Sequence, residues 1–228
     1  MSGKLNHDSV KRVLVVDDHP LICKGLVQMI NDEKDLDACG VADDANDAMK
    51  LIAEKEPHAV IVDISLKSSS GLELIKAMAS RYPGIPALVY SMHDESVFAE
   101  RALRAGAKGY VMKDQPPEIL IGALRKILDG SIYFSDAVLT RIVGRIAAAA
   151  PSGEGPPIQS LTDRELEILQ LVGQELKTGQ IARKLNISIK TVEAHREHIR
   201  KKLGLTSAHE LNEYAKEWFQ GGAGAPIG

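Results

Sequence analysis

The chain has only two cysteines, Cys23 and Cys39, and their separation matches no metal-ligand spacing. That excludes a cysteine-rich metal module, and the pair is expected to be reduced and structural. No uninterrupted apolar run approaches the length a membrane-spanning helix requires. The opening stretch MSGKLNHDSV lacks the apolar segment of a signal peptide, so a cytoplasmic protein with no membrane association is expected. Internal repeats are absent too.

What is present is an ordinary globular composition, 44% hydrophobic and 26% charged over 228 residues, enough for one large domain or two modest ones. The net charge of −3 is unevenly spread. Residues 1–130 carry a net charge of −4, whereas residues 181–203 alone carry +5. An acidic front and a basic segment behind it suggest two modules with different partners.

Short apolar runs alternate with amphipathic stretches through the first 130 residues. Strands are expected at 12–16, 36–41, 58–62, 86–90 and 108–112, and helices near 20–31, 44–55, 71–81, 95–105 and 116–129. Five βα units in this order imply a parallel sheet covered on both faces, and right-handed crossovers favour a flavodoxin-like doubly wound α/β fold over residues 10–130. Residues 131–159 read as a helix, at 134–149, followed by the breaker-rich linker PSGEGPP. A small all-α unit is expected at 160–218, and the tail 219–228 is expected to be disordered.

The segment VLVVDDHP poses a chemical question, because it ends a buried strand on two adjacent carboxylates, Asp17 and Asp18. They are either solvated at the strand end, with an N-cap for the following helix, or facing a cation. In an open parallel sheet, ligands bind beyond the carboxyl ends of the strands. Asp63 follows the third strand, Ser91 the fourth and Lys113 the fifth, so all five polar groups converge on one rim. Three clustered carboxylates call for a counter-charge, and a hard dication such as Mg²⁺ supplies one. A lysine beside them suits an incoming phosphoryl group, and a carboxylate can act as its nucleophile.

With VVDDH, VIVDISL, YSMHD and GAKGYVMK in place, residues 10–130 resemble the receiver domain of two-component response regulators. The resemblance implies that Asp63 is the phosphoacceptor. It makes Asp17 and Asp18 the acidic pair that binds Mg²⁺ together with Asp63 and the backbone carbonyl of Ser65. Ser91 becomes the hydroxyl that moves to the phosphate, Lys113 its salt-bridge partner, and Tyr110 the aromatic switch. Two positions depart from the pattern. Lys67 stands where many receivers have proline, and Asp114 rather than proline follows Lys113.

The second module contains LTDRELEILQLV, IARKLNISIKTVEAHREHIRKKLGL and SAHELNEYAKEW. The middle piece has the shape of a helix-turn-helix. Ile181, Ala182 and Leu185 mark a scaffold helix, 186–188 the turn, and 189–203 a longer helix. Val192, Ile199 and Leu203 fall on the inward side of the longer helix. Lys190, Ala194, Glu197 and Lys201 point roughly opposite; Glu193 and Arg200 lie on one flank, and Thr191, His198 and Lys202 on the other. Such a helix fits the DNA major groove, with cations and Thr191 on phosphates and Ala194 and Glu197 near base edges. Glu197 has an alternative as an i,i+4 partner of Lys201. His195 lies beside the packed stripe and reads as structural.

These motifs resemble the LuxR-type DNA-binding domain of the NarL/FixJ response regulators. The resemblance implies a transcription factor that a sensor histidine kinase switches by phosphorylation, and a homodimer on DNA formed through the helix near 207–217. Gln180 replaces a usual glutamate, and Glu175 stands where glycine commonly ends the first helix. Two rivals remain at this level: a DNA-binding regulator with a phosphorylation-independent receiver, and an Mg²⁺-dependent aspartyl-phosphate phosphatase. The phosphatase tends to carry a second acid two residues after its nucleophile, where this chain has Ser65.

Overall fold

The computed structural model describes residues 10–66, 70–147 and 157–220. Lys67, the end of the helix expected at 134–149, the breaker-rich linker 151–157 up to Pro156, and the tail from 221 lie outside these residues, whereas residues 219 and 220, expected to be disordered, are helical. The chain divides into two compact units, 1–135 and 136–228.

The first unit is a five-stranded parallel sheet: β1 (Lys11–Val16), β2 (Leu36–Ala42), β3 (Ala59–Val62), β4 (Ala87–Ser91) and β5 (Gly109–Met112), in the order β2-β1-β3-β4-β5. The helices between and after them are α1 (Pro20–Asn31), α2 (Ala45–Lys55), α3 (Gly71–Arg81), α4 (Glu95–Ala105) and α5 (Pro117–Leu128). Each lies within a residue of its sequence-based limits. Val13–Val16 of β1 and Ala59–Val62 of β3 are buried throughout, because a central parallel strand is covered on both faces. Val13, Val15, Ile61, Leu88 and Val111 pack on one side with Leu26 and Ile30 of α1 and Leu120, Leu124 and Ile127 of α5. Local chemistry starts the other helices. Asp44 caps α2 through Asn46 and Asp47, Ser70 caps α3 through Leu72, and Asp94 caps α4 through Ser96. Strand order reverses between β1 and β3, which opens the crevice where such sheets bind ligands.

The second unit holds α6 (Asp136–Ala147), a 3₁₀ turn (Pro157–Ser160), α7 (Asp163–Gly173), α8 (Thr178–Lys184), α9 (Ile189–Lys202) and α10 (Ala208–Gln220). A reciprocal capping box starts α7, with Thr162 bonding the Glu165 amide and the Glu165 carboxylate accepting from the Thr162 amide. α10 lies so close to α7 that a side chain at Gly173 would meet the carbonyl oxygen of Ala215 at 2.5 Å. Glu175, standing where glycine is usual, takes a left-handed φ of 61°. Gln180 accepts the Lys177 amide at 2.8 Å through its side-chain oxygen. Among the described residues no helix is long and apolar enough to cross a membrane, and no peptide bond is cis, Lys113–Asp114 included. Both cysteines are free.

Candidate functional site

Strand register assembles the rim of the sheet. Val16 pairs with Val62 and Ser91 with Met112, so the next residues along β1 and β3, Asp17 and Asp63, leave the sheet side by side. The amide of Asp63 donates to the carbonyl of Val16 at 2.9 Å, and that of Lys113 to the carbonyl of Ser91 at 2.8 Å. Lys113 Nζ donates to Asp17 Oδ2 at 2.6 Å and Asp63 Oδ2 at 2.5 Å. The lysine and Asp63 side chains are each only 4% exposed, which makes this a buried charge network rather than a surface pair. Burial works against the lysine's charge, but the carboxylates of Asp63 and Asp17 outweigh it and hold the ammonium above its ordinary pKa. Ser91 Oγ donates to the other oxygen of Asp63, Oδ1, at 2.8 Å. The Ser65 amide approaches that same oxygen at 3.4 Å.

Asp18 is arranged differently. Its Oδ1 is buried and accepts no hydrogen bond, with His19 Nδ1 2.8 Å away. Burial, more than the neighbouring Asp17 and Asp63, pushes its carboxyl above the usual range. Neither aspartate caps α1, whose N-cap is His19 with no side-chain bond, although Asp17 Oδ1 accepts the His19 amide. Oxygens of Asp17, Asp18 and Asp63 and a nitrogen of His19 lie within 4.8 Å of one another. Three carboxylates gathered this closely offer a donor set of hard oxygens, and it fits Mg²⁺.

Three residues of this site were not singled out from the sequence. His93, inside the YSMHD motif, joins its parts. Its amide meets Ser91 Oγ at 3.4 Å, its ring meets Ser65 Oγ at 2.8 Å and Phe98 at 4.7 Å, and its carbonyl accepts the Tyr110 hydroxyl at 2.9 Å. Tyr110 is thus buried with its hydroxyl engaged, and burial holds its pKa well above normal. Gly71 is the second. A side chain there would sit 1.9 Å from the carbonyl oxygen of Asp63, so only glycine lets α3 begin against the backbone of Asp63. His19 is the third, following directly on the acidic pair.

In the second unit, α9 presents a packed side and an open side. Val192 and Ile199 are buried; Leu203, which caps the helix, is half-buried. Ser188 caps the helix through the amide and hydroxyl of Thr191. Lys190, Thr191, Glu193, Ala194, His198 and Lys201 are exposed, and Glu197 and Arg200 are half-buried. Glu197 lies 3.0 Å from Arg200 and 3.6 Å from Lys201. Lys202 turns away from this surface, with Nζ 2.6 Å from the buried Glu165. His195 is half-buried, and burial pushes its imidazole below the ordinary pKa.

Sequence comparison matches residues 13–125 to the response regulator receiver domain and residues 159–215 to the luxR family of bacterial regulatory proteins. The oxygen regulatory protein NreC of Staphylococcus aureus (strain bovine RF122 / ET3-1) is 34% identical over 208 residues, 90% of this chain and 96% of its own. NreC of Staphylococcus carnosus (strain TM300) is 33% identical over the same share. A LuxR-family two-component response regulator from Aurantimonas sp. SI85-9A1 is similar in structure, with a TM-score of 0.56 and 31% identity over 61% of this chain and 99% of its own. A structure described as two RcsB dimers bound to two parallel DNAs matches with a TM-score of 0.54 and 25% identity, over 91% of this chain and 98% of its own.

Proposed function

This chain belongs to the response regulators that join a receiver domain to a LuxR-type DNA-binding domain, and from that premise we propose that phosphorylation of Asp63 by a sensor histidine kinase switches its dimerisation and DNA binding. The observation that carries the reading is the network in which Asp63 is held by Ser91 on one oxygen and by Lys113 on the other. Asp17, Asp18, Asp63 and the carbonyl of Ser65 would hold Mg²⁺, which when bound neutralises charge on the phosphoryl oxygens.

A carboxylate oxygen of Asp63 bonds to phosphorus as the bond from phosphorus to the kinase's protonated imidazole breaks, so the ring leaves as a neutral histidine that keeps its other N–H, and Asp63 becomes an aspartyl-phosphate. Lys113 balances the charge that accumulates on the phosphoryl group. The Ser91 hydroxyl leaves Asp63 Oδ1 for a phosphoryl oxygen. Because the His93 amide rests on Ser91 Oγ and the Tyr110 hydroxyl on the His93 carbonyl, that movement is passed to the α4–β5–α5 face. A two-state population there shifts, and the shift promotes dimerisation.

On DNA, α9 would enter the major groove with Lys190, Thr191, Glu193, Ala194, Glu197, His198, Arg200 and Lys201 as its contacts. The exposure of six of these eight residues supports the placement, as does the binding of RcsB dimers to DNA in the related structure. We read the protein as a cytoplasmic regulator of transcription rather than an enzyme acting on an external substrate. Ser65 stands where the phosphatase chemistry would place a second acid, and its hydroxyl is committed to His93.

The test is acid-labile phosphate incorporation from a small-molecule phosphodonor, with and without Mg²⁺. One Mg²⁺-dependent phosphate per chain, absent in Asp63→Asn, is expected. Incorporation that persists in Asp63→Asn contradicts the assignment.

A further inference from the structure

A second cluster of ligating side chains lies in the DNA-binding unit. Glu165 of α7 and His195 and His198 of α9 bring a carboxylate oxygen and two imidazole nitrogens within 4.8 Å of one another. The two histidines are three apart on one helix and therefore share a face. We propose that Glu165, His195 and His198 form a binding site for one borderline-soft divalent ion of the Zn²⁺ class, which ties α9 to α7.

The donor set selects the ion. Two imidazoles and one carboxylate suit Zn²⁺, Co²⁺, Ni²⁺ or Cu²⁺, whereas Mg²⁺ and Ca²⁺ prefer all-oxygen shells. Three protein ligands with a fourth position left to water is a common arrangement for Zn²⁺. A tetrahedral ion with bonds of about 2.0–2.1 Å needs donors roughly 3.4 Å apart, so the cluster must tighten by an ångström or so. His198 is exposed and able to make that movement.

The surroundings fit a metal site. Glu165 is fixed through Oε2 alone, by the Thr162 amide at 2.7 Å and Lys202 Nζ at 2.6 Å, which leaves Oε1 for a ligand. Burial favours the neutral imidazole of His195, the form that ligates. The nearby guanidinium of Arg164 is occupied by Glu167 at 2.6 Å and by the Leu185 carbonyl at 3.0 Å. An ion here would hold α9 at one rotation against α7 and withdraw His198 from the flank of the recognition helix. The site stands independently of whether Asp63 is phosphorylated.

Co²⁺ titration of the full chain tests the proposal by visible absorption. Four-coordinate Co²⁺ with nitrogen ligands absorbs strongly, while six-coordinate Co²⁺ at the oxygen-rich receiver rim stays pale. The expected result is an intense band saturating at one equivalent, retained in Asp63→Asn and bleached by Zn²⁺. His198→Gln, at an exposed position, should keep the fold by circular dichroism and weaken Co²⁺ binding by about 100-fold, at least the loss typical of perturbing a metal site's supporting shell. His195→Gln provides an independent second variant. A wild-type protein without the band overturns the proposal, as does a folded His198→Gln that binds Co²⁺ with unchanged affinity.

Discussion

The rim of the receiver sheet and the outer face of α9 are both charged, but their charges are supported in opposite ways. Asp17, Asp63 and Lys113 follow strands, are up to 96 residues apart in sequence, and meet with their side chains buried, the one ammonium bridging both carboxylates. The charges on that face of α9 come from a few turns of one helix, most of them are exposed, and Glu197 pairs with its helix neighbours Arg200 and Lys201. A buried pair that loses one partner leaves an uncompensated charge and is costly, while an exposed pair contributes about 0–1 kcal/mol. The receiver is therefore built so that a change of charge at Asp63 alters its own energy balance. The α9 face is built so that its charges are available to a partner at little structural cost.

Five substitutions test that contrast. The largest effect is expected for Lys113→Met, which leaves Asp17 and Asp63 facing each other. It should lower the receiver's unfolding free energy by about 3 kcal/mol in metal-free urea titrations, with much of the loss recovered in saturating Mg²⁺. A loss no larger than that of an α9 lysine would erase the distinction. Gly71→Ala comes next, at about 2 kcal/mol, because its new methyl group must push α3 off the Asp63 carbonyl. If Asp63 takes the phosphoryl group as proposed, the same variant should slow phosphate incorporation, and normal kinetics would show that Asp63 does not depend on this contact.

Ser91→Ala removes one buried hydrogen bond to Asp63 and should cost about 1 kcal/mol in the same titration. It should also uncouple phosphorylation from any change around Tyr110, which tyrosine fluorescence or chemical shifts would report. Lys190→Ala and Lys201→Ala are expected to change stability by less than about 0.5 kcal/mol. Each should instead reduce the slope of log K against log salt for DNA binding by about 1, measured by fluorescence anisotropy. Slopes equal to wild type would remove these lysines from the phosphate contacts.

The parts of this account legible in the sequence are those that follow from local pattern plus one topological rule. Apolar runs located the strands, and the rule that ligands sit at strand ends brought Asp17, Asp63, Ser91 and Lys113 together before register was known. The packed stripe of α9 was legible for Val192 and Ile199 because helical spacing repeats, but it weakened at Leu203, where the helix ends. Contacts made across the fold were not legible. Gly71 has no side chain to advertise its closeness to Asp63, and His93 gave no sign that its backbone links Ser91 to Tyr110. Lys202 looked like one more cation on the flank, yet Glu165, 37 residues earlier, holds it inward. Glu175 is the converse case. The sequence departed from glycine, and the backbone kept the left-handed turn regardless.

The most direct test of the switch is DNA binding by the full chain, read by anisotropy on a genomic fragment pool at fixed salt. Wild type and Asp63→Ala are compared with and without phosphodonor and Mg²⁺. The account predicts that phosphorylation tightens wild-type binding by about tenfold or more, within the usual range of coupling between two sites, and leaves Asp63→Ala unchanged. Equal affinity in all four conditions would contradict it, leaving a DNA-binding protein whose receiver does not control it.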